Sequence, residues 1–206
     1  MFKLVVFDFD GTLADSLAST VETFNRLAGE MGFAPLTDPA AARKISTRQF
    51  LKAHGISFWR LPRVVRRFRA LAAEHASDLK LFAGIPDALA ALGADGAKLG
   101  ILSSNAEGTI RTTLRANAAE DHFEFVVGYP RLFGKGKALK RILRAEKLER
   151  SDVLYVGDEV RDIEAAQSAG VKCAAATWGF HAADLLRESN PDFVLESPGE
   201  LLRLTA

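Results

Sequence analysis

A parallel α/β sheet is the fold predicted for this chain of 206 residues, and two observations predict it. Apolar runs of strand length recur with helical segments between them, and each run is near-continuously apolar rather than alternating, as in strands covered by helices on both faces. The runs are Lys3 to Phe9, Ala97 to Leu102, Phe125 to Gly128, Val153 to Val156, Val171 to Ala176 and Phe193 to Leu195. Between them, Gly84-Ile85-Pro86-Asp87 opens an Ala- and Leu-rich helix that Gly93 is expected to close. A second helix, over Asp162 to Ala169, is expected to end at Gly170.

The interval from about Ser16 to Leu81 breaks the rhythm, with helical patterns and no convincing strand. It is expected to form a helical insertion (16–81) in a core made of 1–15 and 82–206. Between Pro39 and Ala73 stand nine Lys or Arg and no Asp or Glu, leaving 18 basic and 26 acidic residues elsewhere. Some of Arg43, Lys44, Arg48, Arg63 and Arg67 are expected to face a crevice and attract an anionic leaving group, such as a carboxylate or second phosphate. Phe50, Phe58, Trp59 and Phe68 are expected to form the insertion's own small core.

With 48% hydrophobic and 26% charged residues, the composition is that of a globular protein and excludes a disordered or collagen-like chain. A net charge of +1 gives no global reason for a membrane or nucleic-acid partner, and the basic patch lacks interleaved aromatic motifs. Asp8 and Asp10 interrupt the apolar start, so neither a signal peptide nor a membrane span is expected there. The single cysteine, Cys173, excludes an internal disulfide, fits a cytoplasmic setting and reads as an inert packed thiol. His54, His75, His122 and His181 show no zinc-ligand spacing.

The chemistry-bearing residues gather where strands end. The first run closes in Asp8-Phe9-Asp10-Gly11-Thr12, two carboxylates at the carboxyl edge of a parallel sheet, where ligands bind. A carboxylate there is a nucleophile, a metal ligand or a helix cap, and Gly11 lets backbone amides approach an anion. The fourth run repeats the architecture in Gly157-Asp158-Glu159-Val160-Arg161-Asp162, with Asp158 and Asp162 a helical turn apart. They face the first pair if strands one and four are neighbours. Converging carboxylates need a cation, and oxygen-only donors favour Mg²⁺ over zinc. Ser103, Ser104 and Asn105 follow the second run, offering a hydroxyl and amides to phosphoryl oxygens. Lys135 and Lys137 supply ammonium groups after the third, in a stretch that is no P-loop because no Ser or Thr follows Lys137.

These four motifs, in this order and spacing, resemble the haloacid dehalogenase-like hydrolases, in particular their phosphoglycolate-phosphatase-like branch. The resemblance covers Lys3 to about Leu202 and implies a Rossmann-like core with a small helical cap inserted after the first strand. It implies that Asp8 is a nucleophile forming an aspartyl-phosphate, that Asp10 is the general acid and base, and that Ser103 and a lysine bind the phosphoryl group. Gly11, Ser104 and Asn105 complete that phosphate site. Lys135 matches that lysine, and Lys137 is the other reading, since the branch's usual Pro is replaced by Gly136 and Lys137. Mg²⁺ would be held by Asp8, the Asp10 carbonyl and Asp158, with Asp162 on the metal side. The implied activity is hydrolysis of a small phosphorylated metabolite by a monomer or dimer. A phosphomutase of the same fold, and a non-catalytic binding module using the basic insertion, are the alternatives.

Overall fold

The computed structural model describes residues 2–129 and 131–204. Six strands, β1 (Leu4–Phe7), β2 (Lys98–Ser103), β3 (Phe125–Gly128), β4 (Val153–Gly157), β5 (Lys172–Ala176) and β6 (Phe193–Leu195), form one sheet in the order β3-β2-β1-β4-β5-β6. Every pairing is parallel, and β1 lies between β2 and β4, with Phe7 opposite both Ile101 and Val156. The strand order reverses at β1, so a crevice opens at the carboxyl ends of β1 and β4.

Alternate residues of β1 serve opposite faces. Val5 and Phe7 pack with residues of α5 (Ile85–Ala94) and α6 (Glu107–Ala116), whereas Leu4 and Val6 pack with α7 (Lys135–Glu146) and α8 (Val160–Ala169). Such two-sided cover is why the strands read as continuous apolar runs. Gly170 ends α8 in the left-handed conformation at φ +76°. Gly93 does not end α5: the helix continues to Ala94, and Gly96, at φ +86°, makes the reversal. A glycine inside a helix costs only about 1 kcal/mol, so Gly93 is tolerated there.

From α1 (Leu17–Met31) through α2 (Pro39–Ala42) and α3 (Thr47–Ala53) to α4 (Leu61–Ala72), the 16–81 interval carries helices. A reciprocal Ser46–Gln49 capping box starts α3. Phe24, Leu27, Ile56, Leu61, Val64 and Leu71 form an apolar cluster separate from both sheet faces, joined by Phe50 and Phe68. Phe58 and Trp59 do not join it. They are 76% and 89% exposed, because Ile56 and Leu61 supply the buried contacts on either side of their turn. The chain leaves and re-enters the core side by side: Asp15 N–H donates to Lys80 O at 2.9 Å and Phe82 N–H to Leu13 O at 2.9 Å. Among the described residues no helix is long and apolar enough to cross a membrane.

Candidate active site

Asp8 follows β1 directly, anchored by its N–H to Val156 O at 2.8 Å, and is 1% exposed. Its Oδ1 accepts from Phe9 N–H at 2.7 Å, and its Oδ2 lies 2.6 Å from Lys135 Nζ. That ammonium also reaches Asp162 Oδ1 at 2.8 Å and Tyr155 Oη at 3.1 Å. Lys135 is 2% exposed, held at the first turn of α7 after Gly134 at φ +95°, whereas Lys137 is exposed. The geometry therefore brings Lys135, not Lys137, to Asp8. Gly136 permits the fit, since a Cβ there would lie 2.9 Å from Ala165 O.

Asp158, fully buried at the end of β4, accepts from Thr12 Oγ1 at 2.7 Å on Oδ1 and from Phe180 N–H at 2.7 Å on Oδ2. Side chains on Gly11 or Gly179 would run into this carboxylate, so both glycines are steric requirements of the site. Asp162 accepts Glu159 N–H at 3.2 Å on Oδ2, closing a capping box at the start of α8. Asp8, Asp158 and Asp162 each offer an oxygen within 4.8 Å of the others'. The two distant acidic stretches thus meet, as adjacency of β1 and β4 requires.

Asp10 stands apart from that trio and accepts from Asn105 Nδ2 at 3.0 Å. Burial, then the neighbouring Asp8 charge, raises its carboxyl to about 6. Burial likewise raises Asp8 against the pull of Lys135. Asp158 is pushed well above the usual carboxylate range by burial and by the charges of Glu159, Asp162 and Asp8. Burial works against the Lys135 charge too, but Asp162 and Asp8 outweigh it and hold its pKa above the ordinary lysine value.

Ser103 is buried at the end of β2 with its Oγ accepting Asn105 N–H at 3.1 Å. Three carbonyls near it, those of Ser104, Asn105 and Tyr129, accept from the Arg69 guanidinium, which ties α4 to this loop. Of the five basic residues expected at the crevice, Arg43 alone lines it. Lys44 and Arg63 are exposed, Arg67 pairs with Glu30 at 2.7 Å, and Arg48 lies over the Phe133 ring and near Glu164. Arg69 and Arg161 take the places at the crevice instead.

Arg161 pairs with Glu159 and donates to Leu132 O at 2.9 Å. Burial opposes ionisation of Glu159, yet Arg161 and His181 draw its carboxyl down to about 2. Its other oxygen accepts Thr47 Oγ1 at 2.6 Å, a bond from α3 to the core. His181 Nδ1 accepts Val160 N–H at 3.0 Å, so its proton sits on Nε2, facing Glu159, and burial lowers its pKa. Glu159 and Arg161 were visible inside the fourth motif but carried no separate signal. Arg69 had none, because its acceptors are backbone carbonyls distant in sequence.

Among the described residues three buried carboxylates, Asp8, Asp158 and Asp162, gather beside one buried ammonium, Lys135, while Glu159 is matched by Arg161. The donor set is all oxygen and lacks two positive charges, which fits a hard divalent cation.

Residues 5–176 match the haloacid dehalogenase-like hydrolase family. The chain belongs to that family. A phosphoglycolate phosphatase from Synechococcus elongatus is 36% identical over 203 residues, covering 98% of this chain and 96% of the relative. The tyrosine-protein kinase PtkA of Mycobacterium tuberculosis is 29% identical over 198 residues, covering 93% of this chain and 68% of the kinase. A haloacid dehalogenase-like hydrolase from Streptococcus pneumoniae superposes with a TM-score of 0.82 at 23% identity, over 100% of this chain and 99% of the other. As a haloacid dehalogenase-like hydrolase, the protein is an enzyme with a Rossmann-type core, as the four motifs imply.

Proposed function

We propose that this enzyme is a Mg²⁺-dependent phosphatase that hydrolyses a small phosphomonoester through an aspartyl-phosphate on Asp8. The observation that carries the reading is the contact of Asp8 with Lys135 beside Asp158, at a sheet edge where Asp10 is held by Asn105. The similarity to a phosphoglycolate phosphatase supports the reaction class.

Uncatalysed phosphomonoester hydrolysis is among the slowest of biological reactions, so positioning and charge stabilisation must carry the rate. An Asp8 oxygen attacks phosphorus while the ester P–O bond breaks, and Asp10 gives its proton to the departing alkoxide. Water then attacks the same phosphorus, Asp10 takes a proton from it, and the Asp8–phosphorus linkage breaks to release inorganic phosphate. Lys135 and Ser103 stabilise the equatorial oxygens, with the Gly11, Ser104 and Asn105 backbone alongside. Asp8, the Asp10 carbonyl and Asp158 would hold Mg²⁺, and Asp162 would orient Lys135 behind them; the ion would supply positive charge to the transferring phosphoryl group. Helices α1 to α4 serve as a cap that excludes bulk water and reopens for release. The lone buried cysteine fits a cytoplasmic enzyme.

The test is phosphate release from a panel of phosphomonoesters, with Mg²⁺ and with EDTA, against Asp8→Asn. Mg²⁺-dependent release by the wild type and none by the variant is expected. Equal release by both would refute the assignment.

A further inference from the structure

We infer that the leaving group of this enzyme is an apolar alkyl or aryl body of about six carbons or more, not a two-carbon acid. The inference rests on the phosphatase reading and concerns what lies beyond the phosphoryl group. A cavity of about 240 Å³ opens at Asp10 and Asn105 and runs into the interior of α1 to α4. Its far wall is built from Val21, Phe24, Leu51, Ile56, Val64 and Phe68. An apolar cavity of about 150 Å³ stays dry and takes a benzene ring, so a larger one with such a wall suits a substituted ring or a short alkyl chain. A glycolyl group would fill only a small part of it and leave most of the apolar wall uncovered.

The polar groups sit at one end. Arg43 Nε and Arg161 Nε are buried at the cavity's mouth with no acceptor among the described residues, although the Arg161 side chain is only 10% exposed. The anionic end of a ligand therefore belongs at the mouth, beside Asp10, and the deep end offers it no charged partner. This polarity matches a phosphate ester whose body is greasy. Transfer of each methylene into such a wall raises affinity by about two- to fourfold until the space is filled.

Alkylphosphonates, which resist hydrolysis, read this without turnover. Calorimetric titration of the Mg²⁺-loaded enzyme with the series from methyl to octyl should show Kd falling by about two- to fourfold per carbon, then levelling. Val21→Trp and, as a second filler, Thr20→Phe should each reduce the octyl-to-methyl affinity ratio by at least about tenfold, with folding checked by circular dichroism. A flat series, or a ratio unchanged in both folded variants, would overturn the inference even if the phosphoester panel showed activity. A graded phosphonate series without turnover of any ester would instead strike the phosphatase reading, and with it the assignment of the cavity to a leaving group.

Discussion

Lys135 Nζ lies 2.6 Å from Asp8 Oδ2, and both side chains are buried to within 2% of full exclusion from solvent. The pair spans two motifs 127 positions apart and, with Asp162 at 2.8 Å from the same ammonium, ties β1 to α7 and α8. Lys135→Met would leave two buried carboxylates facing each other without their cation. Removing one partner of a buried pair costs about 3–5 kcal/mol, so urea unfolding should show a loss of that order together with loss of phosphate release. A variant as stable as wild type would show that the pair contributes nothing to folding.

Asp10 is separated from the acidic trio and touched by Asn105, a position suited to proton transfer to a leaving group. In rapid-quench measurements of phosphoryl transfer to Asp8, Asp10→Asn should lower the rate of this first step by about 10²- to 10⁴-fold for alkyl phosphates. For 4-nitrophenyl phosphate, whose phenolate leaves without protonation, the loss should be much smaller. Equal losses for both esters would remove Asp10 from the role of acid.

A pH effect is expected away from the site. Burial works against ionisation of Asp192, but Lys172 Nζ at 2.6 Å and Cys173 N–H at 2.9 Å outweigh it and lower its pKa. A carboxyl whose folded pKa lies below its unfolded value stabilises the fold above the unfolded value, near 3.8, and loses that contribution as pH falls through the folded one. Asp192→Asn should therefore be less stable than wild type at pH 6, and the gap should narrow as the pH is lowered below about 4 in urea titrations. Because the Asp192 side chain is 32% exposed and its ion pair with Lys172 is screened by solvent, the gap at pH 6 should be small, within about 1 kcal/mol. A constant difference across that range would exclude the linkage.

Cys173, 1% exposed on β5, has its thiol pushed well up by burial. Native protein should resist a disulfide reagent at pH 8 and react stoichiometrically after denaturation. Rapid reaction of the folded enzyme would show that β5 opens readily.

The motifs of the candidate site were legible because parallel strands deliver chemistry at their carboxyl ends: Asp8, Ser103 and Asp158 each stand at or just past a strand terminus. The strand boundaries followed from continuous apolar runs to within about two residues. The choice of Lys135 over Lys137 needed the helix phase of α7, which buries one and exposes the other. The 16–81 interval resisted reading for a related reason. Arg63, Arg66, Arg67 and Arg69 share α4, and which of them turns inward depends on Glu30 of α1 and on the carbonyls of the loop after β2. Phe58 and Trp59 look like core in composition, yet their turn already has Ile56 and Leu61 as its buried members.

Asp8 is proposed to carry the phosphoryl group in transit, and peptide mass spectrometry after acid-quenching the enzyme in mid-turnover looks for it there. One added phosphoryl group is expected on the peptide containing Asp8, present with Mg²⁺ and a good substrate and absent in Asp8→Asn. A phosphoryl group on any other residue of a turning-over enzyme would contradict it.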